Sequence, residues 1–288
     1  MSGRIKENRI LSFVIISVVY ILAAAIGIAV YVSLAYDWWL NLLIADIVAT
    51  VITFIFSLVL GNASVYDPYW SVQPIVILIA FALNAELTPL RLLLLVAVCF
   101  WGVRLTANWA YTFHGLKHQD WRYTMLSEKT GVFYPIINFL GIHLVPTLIV
   151  YGCVIPAVYA MLYSAELCFG SIIFFCLSIG ATVLQGVSDL QMQRFRSKKT
   201  GGFIRNGLWK YSRHPNYLGE ILMWWGVALS VISAFPTAWY LGIGAFANTL
   251  LFLLVSIPMA DNRMSQRPGF DEYKNQTRML LPIKTKQK

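Results

Sequence analysis

Apolar residues run almost unbroken for about 20 positions at a time along this chain, the length that crosses a hydrocarbon layer about 30 Å thick as a helix. Such runs occupy residues 10–34, 39–60, 90–111, 142–162, 167–185, 217–234 and 238–257, with a shorter one at 72–83. The pattern predicts eight membrane crossings, the third of them short or broken. Between the runs lie brief polar connections, with no internal repeat and no stretch suited to a second, soluble domain.

Composition agrees. Hydrophobic residues make up 58% of the 288 positions and charged residues only 12%, which excludes an ordinary soluble core and points to an all-α, polytopic integral membrane protein. The positive charges test the count of crossings. With both termini on the cytoplasmic side of eight helices, 21 of the 22 Lys and Arg residues fall on one face and only Arg91 on the other. The first apolar run is long and lacks a clear cleavage site, so it reads as a retained anchor. The net charge of +9 follows from this bias and calls for no nucleic-acid partner. Inside-positive logic holds equally for a bacterial inner membrane and for the endoplasmic reticulum. The four cysteines sit in apolar runs without metal-ligand spacing and read as packing residues.

Several polar positions stand out against this background. Residues 207–219 read GLWKYSRHPNYLG, with Glu220 next. Lys210, Arg213 and His214 crowd the entrance of an apolar helix that Pro215 is suited to open, an arrangement fit for an anion such as phosphate. The plain alternative is a basic flank that fixes topology. Asn216, Glu220 and Trp224 then recur every four residues on one face. In the preceding helix Gln185, Asp189, Gln193 and Arg196 form another stripe, able to bond a ribose, a carboxamide and a phosphate in series or to pair among themselves. Arg104, in line with Trp101, Asn108 and Trp109, lies inside its helix and needs a partner, either a carboxylate such as Asp67 or a ligand phosphate.

The first half of the chain offers further candidates. Small residues Ala23, Ala24, Ala25 and Gly27 suit helix packing. Asp46 is an intramembrane carboxylate, a functional candidate or a bond to a neighbouring helix. Residues 61–71, read as a loop, hold Asp67 between Tyr66 and Tyr69, types able to deliver a proton to a developing enolate. His114 and His118 lack a third ligand, so no metal site is expected. His143 reads as a satisfied packing group, Pro146 and Pro156 as kinks, and Tyr273 and Asp261 as part of a tail able to fold back beneath the helices.

The strings RHPNYLGE at 213–220 and VSDLQMQRFR at 187–196, reinforced by Tyr273 and Pro282, resemble the C-terminal half of the steroid 5α-reductase superfamily, which includes the sterol Δ14-reductase and lamin B receptor type enzymes. The likeness is greatest to a bacterial-type steroid-reductase-like branch. It implies a single membrane domain over 1–288, with substrate-side helices in 1–135 and an NADPH site in 136–288. Asp189 and Arg196 would hold the cofactor from the sixth helix. Asn216 and Glu220, with Tyr211, Arg213, His214 and Tyr217 around them, would hold its nicotinamide and phosphates, and Arg104 would be a further contact. In steroid enzymes an early Glu and a Tyr bind the substrate ketone. Here that region has Asp67 and Tyr69 as catalytic candidates, while Trp101 falls at the Tyr position and Arg263 is the one comparable tail residue.

The resemblance implies reduction of a C=C bond in a hydrophobic, steroid- or isoprenoid-like lipid, with membrane lipids as surroundings. Two alternatives stand beside it. Isoprenylcysteine carboxyl methyltransferases share an RHPxY-type element and bind S-adenosylmethionine, but carry paired acids after the last helix where this chain has Asp261 before Asn262. A non-catalytic membrane scaffold is the third reading.

Overall fold

The computed structural model describes residues 6–199 and 201–281, so Pro282 lies outside the described residues. In chain order the elements are α1 (Arg9–Ser33), α2 (Trp38–Leu60), a 3-10 turn (Ala63–Tyr66), α3 (Tyr69–Ala82), α4 (Pro89–Thr112), α5 (Trp121–Thr130), α6 (Tyr134–Ile137) and a π-helical segment (Asn138–Leu144). They continue with α7 (Val145–Leu162), α8 (Phe169–Ser197), α9 (Pro215–Ala234), a 3-10 stretch (Pro236–Gly242), α10 (Ile243–Leu251), a second π-helical segment (Phe252–Ser256), α11 (Ile257–Met264) and α12 (Phe270–Gln276). Among the described residues eight helical stretches are long and apolar enough to cross a membrane. The chain is an all-helical, multi-pass membrane protein.

The third crossing and the fifth depart from plain helices. Residues 61–71 are not the expected loop. Gly61, at φ +58°, ends α2, and the Asn62 side chain accepts from Ser64 N at 2.8 Å to start the 3-10 turn. The Asn62 amide also donates to the carbonyls of Leu116 (2.7 Å) and His118 (3.0 Å), so this turn is pinned to the connection after α4. Trp121–Leu162 forms one 42-residue helical stretch, about 63 Å long at 1.5 Å per residue, twice the hydrocarbon thickness. Its first part, α5, carries Arg122, Glu128 and Lys129 and is capped by Asp120, which accepts from Arg122 N at 2.8 Å. That part belongs outside the hydrocarbon.

The chain divides into two compact units, Met1–Ala80 with Leu105–Ile155, and Phe81–Arg104 with Pro156–Lys288. In the first, α1 and α2 approach closely because Ala23 and Gly27 face α2: a Cβ on Gly27 would lie 3.4 Å from both the Ala45 carbonyl oxygen and Ala49 Cβ. Of the small residues expected at this seam, Ala24 is half-buried and Ala25 faces outward.

The second unit is built on α8 against α9. Gly219 and Gly226, seven apart and so on one face, leave no room for a side chain. A Cβ on Gly219 would come within 2.5 Å of Gln185 Cγ and 2.7 Å of the Ala181 carbonyl, and one on Gly226 within 2.8 Å of the Phe174 carbonyl. Hydroxyls bond across the contact, Ser171 to the Ser230 carbonyl (2.7 Å) and Ser230 to the Ser171 carbonyl (2.8 Å). Small residues and interhelical hydrogen bonds are what holds helices together where lipid offers no hydrophobic drive. Arg91, the cation set apart by its place in the sequence, donates to the carbonyl of Ala160 (2.8 Å) in the last turn of α7 and to that of Glu86 (2.7 Å) in the connection before α4.

Candidate functional site

The second unit gathers most of the residues singled out from the sequence into two networks. One is buried between α4, α8 and α9. Glu220 accepts from Trp101 Nε1 (2.9 Å) and Gln185 Nε2 (2.6 Å) on one oxygen and from Trp224 Nε1 (2.9 Å) on the other. The two indoles meet edge to face at 4.7 Å and are almost wholly buried. Gln185 in turn accepts from the Arg104 guanidinium, which pairs with Asp189 at 2.7 Å. Arg104 therefore finds its carboxylate on α8, correcting the Asp67 alternative. Glu220 takes amide and indole donors. The stripe on α8 is real for Gln185 and Asp189, while Arg196, further along, is exposed.

The other network occupies the entrance of α9. Pro215 is the first residue of the helix, as expected. Arg213 and His214 do face an anion there, and the anion belongs to the chain: Asp261 on α11 accepts from Arg213 at 3.0 Å and bonds His214 Nε2 at 2.9 Å. Arg213 also donates to the Thr277 carbonyl (2.6 Å) and the Lys274 carbonyl (3.2 Å), and its backbone N–H to the Arg278 carbonyl (2.9 Å). The tail thus folds back onto α9. Arg213 and His214, expected around a cofactor phosphate, thus share a carboxylate of the chain itself, and Arg213 keeps a buried Nε with no hydrogen-bond partner. Tyr217 stacks on His214 with centroids 5.2 Å apart and rings nearly parallel. Tyr273 donates to the Trp209 carbonyl, and burial pushes its phenol from 10.0 up to about 12. Tyr211 is exposed beside Lys210.

Among the described residues, four buried side-chain atoms of this unit have no hydrogen-bond partner: Arg104 Nε, Arg213 Nε, Asn216 Oδ1 and Asn248 Nδ2, a state that costs about 1–3 kcal/mol per group unless something bonds them. Asn216 lies one helical turn before Glu220 on the same face. Nearby in sequence Arg194, Arg196, Lys198, Lys199 and Lys210 are exposed. An amide acceptor and exposed cations are groups that could hold the carboxamide and phosphates of a dinucleotide. Among the described residues no group of three or more His, Cys, Asp or Glu could hold a metal.

The first unit separates the two catalytic candidates. Asp67 accepts from Tyr123 at 2.7 Å, while Tyr69 turns to Asp46, donating to Oδ1 at 3.4 Å. Gln73 holds the other Asp46 oxygen at 2.5 Å. The carboxylate that orients Tyr69 is thus Asp46, a residue the sequence marked only as an intramembrane charge. The spacing 46, 69, 73 gives no hint of this, since it joins two helices.

Residues 53–277 match the model of the family described as protein of unknown function DUF1295. The chain belongs to this family. An uncharacterised protein of Schizosaccharomyces pombe is 26% identical over 214 residues, covering 62% of this chain and 62% of its own length. The match thus spans less than two thirds of that relative. No solved structure matches the chain. The family match includes both networks of the second unit, with Arg104, Asp189, Glu220, Arg213 and Asp261 all inside it.

Proposed function

We propose that this DUF1295 member is an NADPH-dependent reductase of a C=C bond conjugated to a carbonyl in a hydrophobic, steroid- or isoprenoid-like lipid. The observation that carries the reading is the unpartnered, buried amide oxygen of Asn216 at the mouth of α9, one turn from the Glu220 network. The likeness of residues 185–220 to steroid 5α-reductases supports it. In this reading the Asn216 oxygen accepts from the nicotinamide carboxamide, and Arg196 with Lys198, Lys199 and Lys210 neutralise the phosphates. Glu220 and its three donors fix the depth of the α9 entrance. Arg104 and Asp189 hold α4 against α8, with the free Arg104 Nε left for a ligand oxygen.

When bound, NADPH supplies a hydride to the β-carbon of the enone. Within the first unit Asp46, itself held by Gln73, orients the Tyr69 hydroxyl as a proton donor would need, and Asp67 serves Tyr123 instead. Both termini are cytoplasmic, as the distribution of Lys and Arg favours, so the cofactor arrives from water and the lipid from the bilayer of an inner membrane or endoplasmic reticulum.

Titrating the detergent-purified protein with NADPH, NADH and S-adenosylmethionine while following thermal unfolding tests this directly, since a ligand that binds only the folded state raises Tm by mass action. NADPH should stabilise the wild type, and Asn216→Leu and Arg196→Ala should weaken that stabilisation. Stabilisation by S-adenosylmethionine alone would overturn the reductase reading in favour of a methyltransferase. Silence toward all three would leave a scaffold.

A further inference from the structure

The first unit contains a polar seam that the reductase reading does not use. On α2, Thr50, Thr53 and Ser57 recur at i, i+3 and i+7, all buried. Facing them, the π-helical segment and the start of α7 present Asn138, His143 and Thr147, also buried. Thr147 is shared by Thr50 (3.0 Å) and by the Tyr66 hydroxyl (2.8 Å), and Asn138 Nδ2 donates to Ser57 Oγ at 3.4 Å. Aromatic rings wall the histidine: Tyr66 at 4.7 Å and Phe54 at 5.4 Å between centroids. π-helical turns inside α-helices are costly and concentrate at functional sites.

Two atoms in this seam have no partner, and their character follows from their neighbours. His143 Nδ1 faces the Asn138 carbonyl at 3.1 Å. A carbonyl only accepts, so in the neutral ring Nδ1 carries the proton and Nε2 is left as a bare acceptor. His143 is fully buried, and Nε2 bonds nothing. Asn138 is fixed in the same way. The Ser57 hydroxyl donates its proton to the Phe54 carbonyl at 2.8 Å, so it must accept from Asn138 Nδ2. That leaves Asn138 Oδ1, also buried and unpartnered, as a second acceptor. Asn138 and His143, with Ile142, are the buried residues of the π segment and so lie on one face of it. The seam therefore wants a donor. Its side chains are Thr50, Thr53, Ser57, Tyr66, Asn138, His143 and Thr147 with Phe54 beside them, and the adjoining carboxylate, Asp46 one turn before Thr50, is already held by Tyr69 and Gln73.

We propose that this seam is a binding site for the hydroxyl group of a membrane alcohol, a hydroxylated lipid whose one O–H proton donates to His143 Nε2, with Asn138 Oδ1 on the same face as the alternative acceptor for that proton. The aromatic walls receive the adjoining hydrocarbon. This site is independent of any cofactor in the second unit, so its test runs without NADPH and stands or falls apart from the reductase reading.

The test uses the full chain in detergent with two matched sets of probes, farnesol with farnesyl methyl ether and farnesylamine, and cholesterol with cholesteryl methyl ether. Each is titrated against thermal unfolding. At least one alcohol should raise Tm while its methyl ether, which cannot donate, does not. His143→Phe should weaken that alcohol's apparent affinity roughly tenfold, the loss of about one hydrogen bond. His143→Gln, which places an amide oxygen near the position of Nε2, should retain most of it. Should His143→Phe not fold, Asn138→Leu is the second variant and should weaken the same alcohol. Alcohols and ethers that act alike, a response to farnesylamine alone, no response to either alcohol, or equal binding by the Phe and Leu variants would each overturn the proposal, in the last case because a buried water would then account for both atoms.

Discussion

Glu220→Gln is nearly isosteric, and its effect is set by counting donors. The wild-type carboxyl receives three N–H groups, two on one oxygen and one on the other. A glutamine has a single acceptor oxygen. Placed toward Trp101 and Gln185, it satisfies both, but its own NH2 then confronts the Trp224 N–H, leaving one buried donor opposed to another. Each orphaned donor costs about 1–3 kcal/mol, and the Trp224 N–H and the new NH2 are both orphaned, so Glu220→Gln should lose at least about 2 kcal/mol. Glu220→Ala orphans all three donors and opens a cavity, for at least about 3 kcal/mol. The sharper expectation is the double mutant. Trp224→Phe removes the very N–H that Gln cannot satisfy, so Glu220→Gln combined with Trp224→Phe should be more stable than the sum of the single losses by about 1–2 kcal/mol. Unfolding in mixed micelles with increasing dodecyl sulfate, followed by helical circular dichroism, reads all four proteins. Additive losses, or a Glu220→Gln protein as stable as the wild type, would refute the account of Glu220 as the buried acceptor that joins α4, α8 and α9.

Three other expectations follow from the same geometry. Gly219→Ala should cost about 1–3 kcal/mol or more in that unfolding assay, because the added methyl meets the Ala181 backbone at 2.7 Å, whereas Gly141→Ala, with nothing within 4 Å, should be close to neutral. Asp261→Asn breaks a pair whose side chains are each 9% exposed, so trypsin should cut the 263–278 tail several-fold faster than in the wild type; an unchanged cleavage rate would exclude the tail contact. Tyr273 has its phenol raised from 10.0 to about 12, so the neutral form is favoured on folding. Its stabilising contribution is complete below about pH 10 and is lost as pH rises toward 12; Tyr273→Phe should flatten the stability profile in that window and leave the profile below it unchanged.

Much of this protein is legible in its sequence because the bilayer imposes local rules. Eight apolar runs announced eight crossings, since each must satisfy its own backbone within one continuous helix. Pro215 marked the start of α9, and the spacing of Gln185 with Asp189 put both on one face of α8, because helical periodicity is a property of neighbours in sequence. Residues 61–71 misled: Gly61, Asn62 and Pro68 are turn residues, and only the contacts of Asn62 with the Leu116 and His118 carbonyls turn that stretch into a helical entrance to α3. His143 likewise read as satisfied, and its bare Nε2 depends on a π-helical turn for which the sequence carries no signal.

Local pattern is enough to read the chain as helical and as crossing a membrane many times, and to pick out Asp46, Arg104, Asp189 and Glu220 as polar groups within apolar helices. Which of these answer one another depends on how the helices pack. Glu220 meets an indole 119 residues away, Arg104 a carboxylate 85 residues away, and Arg213 one 48 residues away. An intramembrane charge must find a partner, and the sequence offers several to each. Which one it takes is fixed by the close approach of helix backbones at positions such as Gly219 and Gly226, a property of the packed fold that no spacing along the chain encodes.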